Sequence, residues 1–465
     1  MGLTINNANT LSLLNILSST TSAQSSSLQK LSTGSKINSG ADNPAGLIAV
    51  QGLNAELTNT NAALDSNQRT KSELDTADGA LKEVSSLVST IQSLAAASTS
   101  SGGLSAGEIA ANQAQIDNAI SSIDRIVGTT QFNGKHLLDG SQAIRATASA
   151  PTKVTDVRVY SRPASTSTQN LAINVVSAGA VASATLATNS ASSATQFSVT
   201  GSLGTATIAV GANQALSAVA AKIVAAAGDT GVSATVVGGN SIHLQTRGYG
   251  TNSFVSASFI SGDASFTTGV SYTKGTDAQV TVDGQNAFVD GLHVSYNSNG
   301  FSGDFTLTST GNVAGSAGNV SISGGGATFQ LGTTTSTQAT VGISALFSQN
   351  LGDSVTGYLS TLKSGGANDL AHNAGQAVLI AKDALNQVAT QQGRLGGFAQ
   401  YQVDTSINSL NSTKEALTNA RGVIQDVDYA AETANLSKQN VLVQSAVSLL
   451  GVTSQQSQQI LALLR

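Results

Sequence analysis

Along residues 374–427, apolar and small side chains recur in steps of three and four: Val378, Ala381, Leu385, Val388 and Leu395, then Val403, Ile407, Leu410, Leu417 and Ile424. That spacing is the seam of a helix lying along other helices. No proline interrupts it, and unbroken it would be roughly 80 Å long at about 1.5 Å per residue. Gly393, Gly396 and Gly397 mark a local weakness where a kink is expected. A helix this long needs a partner of similar length, and the candidates lie near the other end of the chain.

Leu14, Leu17, Leu28 and Leu31 share one heptad frame, with Thr21 and Gln24 in the seam positions between them. The stripe is narrow, so this helix is marginal alone. Gly34 is placed to end it. Residues 35–42 read as a linker, and Asn43-Pro44 as an N-cap followed by proline at the first helical position. A second long helix is predicted from Gly46 to about Ala97, with Leu53, Leu57 and Leu64 in its first half. Leu74, Ala77, Leu81, Val84, Val88, Ile91 and Ala95 follow in its second. A third helix carries Ile109, Ile116, Ile120, Ile123 and Val127 on one face. Asn133-Gly134, between two short runs, predicts a type I′ hairpin.

Near Ala143 the period becomes strand-like, and Thr, Val, Gly and Ser dominate to about Thr340. Within this region residues 196–260 read as a βαβ-type module. Strands are predicted at 197–199, 207–210, 232–237, 242–246 and 254–260, with a helix over 212–227 carrying Leu216, Val219 and Ile223. Residues 280–283 and 287–296 flank Gly284 as a hairpin. Beyond about Leu351 the helical spacing returns. After the long helix, residues 430–452 form another, with Val443, Val447 and Leu450 as its stripe. The chain ends on a short apolar run containing Ile460, Leu463 and Leu464.

The fold class is therefore α+β, a long antiparallel helical bundle or coiled coil formed by both chain ends, with inserted β-rich domains in the middle. The predicted divisions are 1–42 with 430–465, 43–142 with 351–429, and 143–350. The bundle core is assigned to Leu74, Leu81, Val84, Val88, Ile91, Ile116, Ile120, Ile123, Val127, Val378, Leu385, Val388, Leu410, Leu417 and Ile424. The outermost segments are too weakly amphipathic to stand alone. Their seam residues, Leu14, Leu17, Leu28, Leu31, Val443, Val447, Leu450, Ile460, Leu463 and Leu464, are expected to be buried between identical copies. Head-to-tail contacts that do not close give a helical filament.

Composition sharpens this picture. Only 10% of the 465 residues are charged and 4% aromatic, so cores are thin and neighbouring subunits must supply stability. The net charge of −5 gives no basic footprint for nucleic acid. Cysteine is absent, which excludes disulfides and thiolate chemistry. Residues 1–27 lack the basic and apolar parts of a secretory signal, and no stretch has the roughly 18 apolar residues of a membrane span, so no membrane insertion is expected.

The run Leu28-Gln29-Lys30-Leu31-Ser32-Thr33-Gly34-Ser35-Lys36-Ile37-Asn38, continuing to Asp42-Asn43-Pro44-Ala45-Gly46-Leu47, resembles the N-terminal signature of bacterial flagellin. So do Ile123-Asp124-Arg125-Ile126 with Phe132-Asn133-Gly134, residues 416–428, and the ending Gln458-Gln459-Ile460-Leu461-Ala462-Leu463-Leu464-Arg465. Residues 196–260 are similar to a module found in the variable middle of many flagellins. The resemblance implies unfolded export through the flagellar type III route without a cleavable signal peptide. It also implies polymerisation into the extracellular filament, with an export chaperone, junction proteins and cap proteins as partners. It places the outermost helices in an inner tube, the bundle in an outer tube, and the middle on the surface. Two features depart from the family pattern. Thr90, Gln92 and Ser93 stand around Leu94 where flagellins sensed by the vertebrate innate receptor place Arg and Glu. Asn43-Pro44 replaces an acidic-Ala pattern.

No catalytic constellation emerges, and neither enzyme activity nor a cofactor is expected. His136, His243, His293 and His372 are isolated, with no H-E-x-x-H pattern among them. Gly238-Gly239 and the 324–326 glycines read as turns rather than phosphate loops. Asp283, Asp290 and Asp304 lie where Ca²⁺ could be held, but solvated turn aspartates are the favoured reading. Serines and threonines of the middle are candidates for O-glycosylation against a plain β surface. The competing functions are a hook–filament junction protein and a surface adhesin acting through the middle domain.

Overall fold

The computed structural model describes residues 8–99, 104–163, 168–187, 191–239, 241–267, 270, 272–298 and 300–463. Its helices are α1 (Ala8–Thr33), α2 (Pro44–Ser98), α3 (Ala106–Thr129), α4 (Leu216–Ala225), α5 (Ala227–Thr230), α6 (Leu370–Phe398), α7 (Asp404–Gln425) and α8 (Tyr429–Leu463). The chain divides into two compact units, Met1–Asp65 with Ile407–Arg465, and Ser66–Ser406. The division falls inside α2 and near the start of α7, not at the outer ends of the terminal helices. The cause is local packing: Leu64 and Ala63 of α2 form one small core with Leu410 and Ile407 of α7.

In the first unit, Gly34 adopts φ +69 and ends α1, as its position in the sequence predicts. The chain then crosses residues 425–427. The Lys36 N–H donates to the Gln425 carbonyl at 2.7 Å, and the Val427 N–H to that of Gly34 at 3.0 Å. Gln24 Nε2 donates to Asn440 Oδ1 at 2.5 Å. Since 34–36 meet 425–427 and residue 24 meets 440, α1 and α8 run antiparallel. The linker is held by Asp42, whose Oδ2 accepts from the backbone N–H of Asn38 and Ser39 and from the Ser39 hydroxyl. Those bonds, led by the one from Asn38, hold its carboxyl below the usual range. Asn43 Oδ1 accepts from the Gly46 N–H at 2.9 Å, the capping bond expected of Asn-Pro at a helix start.

In the second unit, Leu74, Leu81, Val84, Val88 and Ile91 of α2 are buried, as are Ile116, Ile120, Ile123 and Val127 of α3. The seam of α6 keeps Ala381, Val388 and Leu395 of the predicted frame but takes Ala377 and Ala384 in place of Val378 and Leu385. Ala377, Ile380, Ala381, Ala384, Val388 and Leu395 are buried, while Val378 and Leu385 are half-buried. Alanine on the inner line lets neighbouring helices approach closely. A capping box at Ser105 and Glu108 starts α3, and Asp369 caps α6. Asn373 is the last non-helical residue of that start, so regular helix begins at Ala374.

The three glycines do not break the helix. It continues through them to Phe398, and a π-turn spans Ala399–Val403 before α7. Phe398 and Val403 are both buried. In a regular α-helix, residues five apart point roughly 140° away from each other at about 3.6 residues per turn. The wider i→i+5 turn brings both to the core side, and Phe398 packs on Phe329 with ring centroids 5.6 Å apart.

Asn133 and Gly134 both have positive φ, +49 and +79, and join the pair Gln131–Phe132 and Lys135–His136 as a type I′ turn. The β-rich middle has two cores. One lies among a five-stranded and a six-stranded sheet and includes Ile173, Val294, Phe305 and Val320. The other includes Phe197, Val219, Ile223, Ile242, Leu244, Val255 and Phe266. The second core corrects the βαβ-type reading. The strands flanking α4, Thr205–Val210 and Val232–Val237, belong to different sheets, and each of their ladders is antiparallel. Strands Val181–Ala187 and Thr273–Lys274 join the module from outside 196–260. The predicted strand 287–296 is also two strands, Phe288–Asp290 and His293–Ser298. They are divided at Gly291, whose φ is +64.

Candidate functional site

The terminal pair α1 and α8 presents an unusual surface. Leu11, Leu14, Ile16 and Leu28 are exposed on α1, and Val441, Leu442, Val447, Leu449 and Val452 on α8, each between 46% and 65% accessible. Leu17, Leu31, Val443 and Leu450 are half-buried, and Ala446 is buried between the helices. Leu464 lies outside the described residues, as do the side chains of Ile460 and Leu463. The reason is visible in the sequence of α8. Val441, Leu442, Val443, Val447, Leu449, Leu450 and Val452 spread over about two-thirds of the helix circumference rather than one stripe. A helix whose apolar side chains exceed what one neighbour can cover is suited to burial on more than one side. One neighbour covers one side only, so the remainder faces outward.

Of the residues on the predicted heptad seam, Leu14, Leu28 and Val447 are exposed; Leu11, Ile16, Val441, Leu442, Leu449 and Val452 are exposed as well and lie off that frame. The consecutive Val441-Leu442-Val443 was the available signal. Val441, Leu449 and Val452 line a shallow groove with Gln444, Ser445 and Ser448. The α8 rim carries hydroxyl and amide groups rather than charge, so approach of a second apolar surface meets little electrostatic resistance.

Bundle residues fare differently. In addition to those buried on α2 and α3, Leu410 is 8% exposed, while Leu417 and Ile424 are half-buried.

The residues screened for chemistry are scattered. Among the described residues no three His, Cys, Asp or Glu side chains gather closely enough to hold a metal. His372 Nδ1 lies 2.5 Å from Asp369 Oδ1 within the α6 cap. Asp283 sits in a turn at φ +49 and accepts from the Ala172 N–H. Asp290 is exposed and accepts from Asn252 Nδ2. Asp304 departs from the solvated-turn reading. It is 5% exposed, in the middle of strand Phe301–Leu307, and accepts from the Tyr160 hydroxyl at 2.5 Å. Burial, followed by the Asp304 charge, pushes the Tyr160 phenol far above its ordinary value. Arg394 of α6 lies over the Tyr160 ring at 3.8 Å, so this face of the sheet is covered by a polar layer. The Gly238-Gly239 and 324–326 glycines all take positive φ, which is turn geometry. No helix among the described residues is long and apolar enough to cross a membrane.

Comparison with known sequences bears on this surface directly. The bacterial flagellin N-terminal helical region matches residues 5–143, and the bacterial flagellin C-terminal helical region matches residues 378–464. The B-type flagellin of Pseudomonas aeruginosa is 29% identical over 516 aligned positions, covering 100% of both chains. The chain belongs to the bacterial flagellin family. A flagellin of Salmonella typhimurium is 28% identical and covers 99% of both chains. That of Bacillus subtilis is 32% identical over 208 residues, 41% of this chain and 66% of its own length. The two family regions hold α1–α3 with the hairpin, and most of α6 with α7 and α8. The exposed apolar faces of this flagellin therefore lie inside its family regions, and both β cores lie outside them.

Proposed function

We infer that this flagellin is the structural subunit of the bacterial flagellar filament and that α1 and α8 are its main polymerisation elements. One observation carries the reading. A helix pair with exposed Leu and Val on several sides is costly in water, and it is relieved when other copies cover it. The filament is extracellular, and the role is structural rather than enzymatic. Segments 1–42 with 430–465 make the inner contacts between copies. Segments 43–142 with 351–429 form the bundle that surrounds them, and 143–350 decorates the outside. Export proceeds unfolded through the flagellar type III route, a reading supported by the absence of cysteine and the thin cores. An export chaperone and the junction and cap proteins are the expected partners.

Removal of residues 430–465 tests the assignment. The truncated chain is expected to remain a soluble, folded monomer that does not elongate filament seeds. Normal elongation would overturn the role given to α8.

A further inference from the structure

The α1/α8 pair turns its less exposed residues toward the partner helix. On α1 these are Leu13, Leu17, Thr20, Gln24, Ser27 and Leu31, and on α8 Leu436, Gln439, Val443, Ala446 and Leu450. Both sets step by three and four, the spacing of a two-helix seam. On α1 the seam keeps Leu17, Gln24 and Leu31 of the predicted frame. It takes Leu13, Thr20 and Ser27 in place of Leu14, Thr21 and Leu28.

Aliphatic residues hold the two ends of this seam, and polar ones hold its centre. Ser27 is 3% exposed. Gln24 reaches past the seam to Asn440, its Nε2 donating to Oδ1 at 2.5 Å. The antiparallel course then sets Gln439 across from Gln24 and Ser27. Gln439 Oε1 is buried without a hydrogen-bond partner. An unpaired buried oxygen makes the pair less stable than an aliphatic side chain there would. Meanwhile large aliphatic residues such as Leu442 and Leu449 point outward.

The polar centre bears on the choice of partner. With leucine at position 439, the α8 seam from Leu436 to Leu450 would be apolar without a break. Such a seam pairs readily with a second copy of itself, and one polar residue within it weakens that pairing. Against α1 the same amide stands beside other polar groups, and Gln24 is satisfied by Asn440. We propose that Gln24 and Gln439 are specificity-determining residues of assembly. They commit each α8 to the α1 of its own chain and keep its seam from pairing with the α8 of another copy, so the outer faces alone remain for contacts between subunits. This inference rests on α1 and α8 being the assembly elements.

The test is sedimentation velocity of the unseeded full-length chain, wild type against the Gln24→Leu/Gln439→Leu double variant. Both side chains face inward, so leucine there adds little to the outer apolar surface, and new association reports a change of partner. Ala446→Cys is added to each background. The natural chain has no cysteine, so a short bis-maleimide then detects an α8–α8 contact specifically. Gln24→Glu with Asn440→Lys rebuilds a polar pair between the helices and serves as the conservative variant. Circular dichroism melts establish that every chain folds. The expected result is a monomer, unlinked at position 446, for wild type and the conservative variant. The double leucine variant is expected to be more helical and to form linked dimers severalfold above wild type. Three results would overturn the proposal. One is a double leucine variant that stays monomeric. Another is equal dimerisation by the conservative variant, which marks a general opening of the pair. The last is dimers without linkage at position 446, which marks association through the outer faces. Wild type that passes this test but fails to elongate filament seeds counts against the filament reading instead.

Discussion

Leucines 81 and 449 differ in what they do for a single subunit. Leu81 of α2 is 0% exposed, whereas Leu449 of α8 is 52% exposed. Each is replaced by alanine. Leu81→Ala deletes buried carbons and leaves a cavity, a loss of about 2–5 kcal/mol from the folded monomer. Leu449→Ala changes a half-exposed position, so it costs the monomer only about 1 kcal/mol, the share of its carbons already covered there. In the filament the order reverses for Leu449. Leucine carries about three more carbons than alanine, roughly 2.4 kcal/mol at about 0.8 per buried carbon. About half of that surface is still open in the monomer, so covering it contributes roughly 1.2 kcal/mol per subunit. At about 1.4 kcal/mol per factor of ten, the critical concentration for polymerisation rises about sevenfold. Monomer stability is read from denaturant melts and critical concentration from sedimentation of seeded filaments. The reasoning fails if Leu449→Ala melts the monomer as severely as Leu81→Ala. It also fails if Leu449→Ala polymerises at the wild-type concentration.

Other outcomes follow from single residues. Asp383 is held near 6, above its unfolded value, so its penalty is absent below about pH 4 and grows as pH rises through 6. Asp383→Asn should therefore raise monomer stability at pH 8 by about 1–3 kcal/mol and change little at pH 4, checked by melts at both pH values. An unchanged difference between the two would refute the assignment. Gly134→Ala forces a side chain to φ +79 with no neighbour within 4 Å, so its cost is backbone strain alone, about 1–2 kcal/mol. Gly393→Ala lies in helix with open space around its Cβ and should stabilise by about 1 kcal/mol. Urea midpoints of the two variants should move in opposite directions.

Much of this fold is legible in the sequence because large aliphatic side chains mark the seams. Spacing alone places Leu81, Val88, Ile116 and Ile123 in the core, and backbone preference places the Asn133-Gly134 turn. The errors have physical causes. In α6 the counting favoured Val378 and Leu385, but close packing is made by Ala377 and Ala384, and alanine carries little hydropathy signal. Strand spacing around α4 reports that strands exist but not which partner each one pairs with, so the antiparallel sheets were read as a βαβ unit. Asp304 alternates with Gly303 and Phe305, which suggests a solvent face. Nothing local to that strand reveals that Tyr160 and Arg394, far off in sequence, cover it. On α8 the apolar residues spread over several sides, which a single-stripe reading does not capture, and the proposed assembly role rests on that excess.

The most direct test of the central claim is electron microscopy of the purified full-length chain after addition of filament seeds. Long helical filaments of uniform diameter are expected from the full-length chain, and bare seeds when residues 430–465 are removed. Full-length chain that stays monomeric or forms only short caps, or truncated chain that elongates normally, would contradict it.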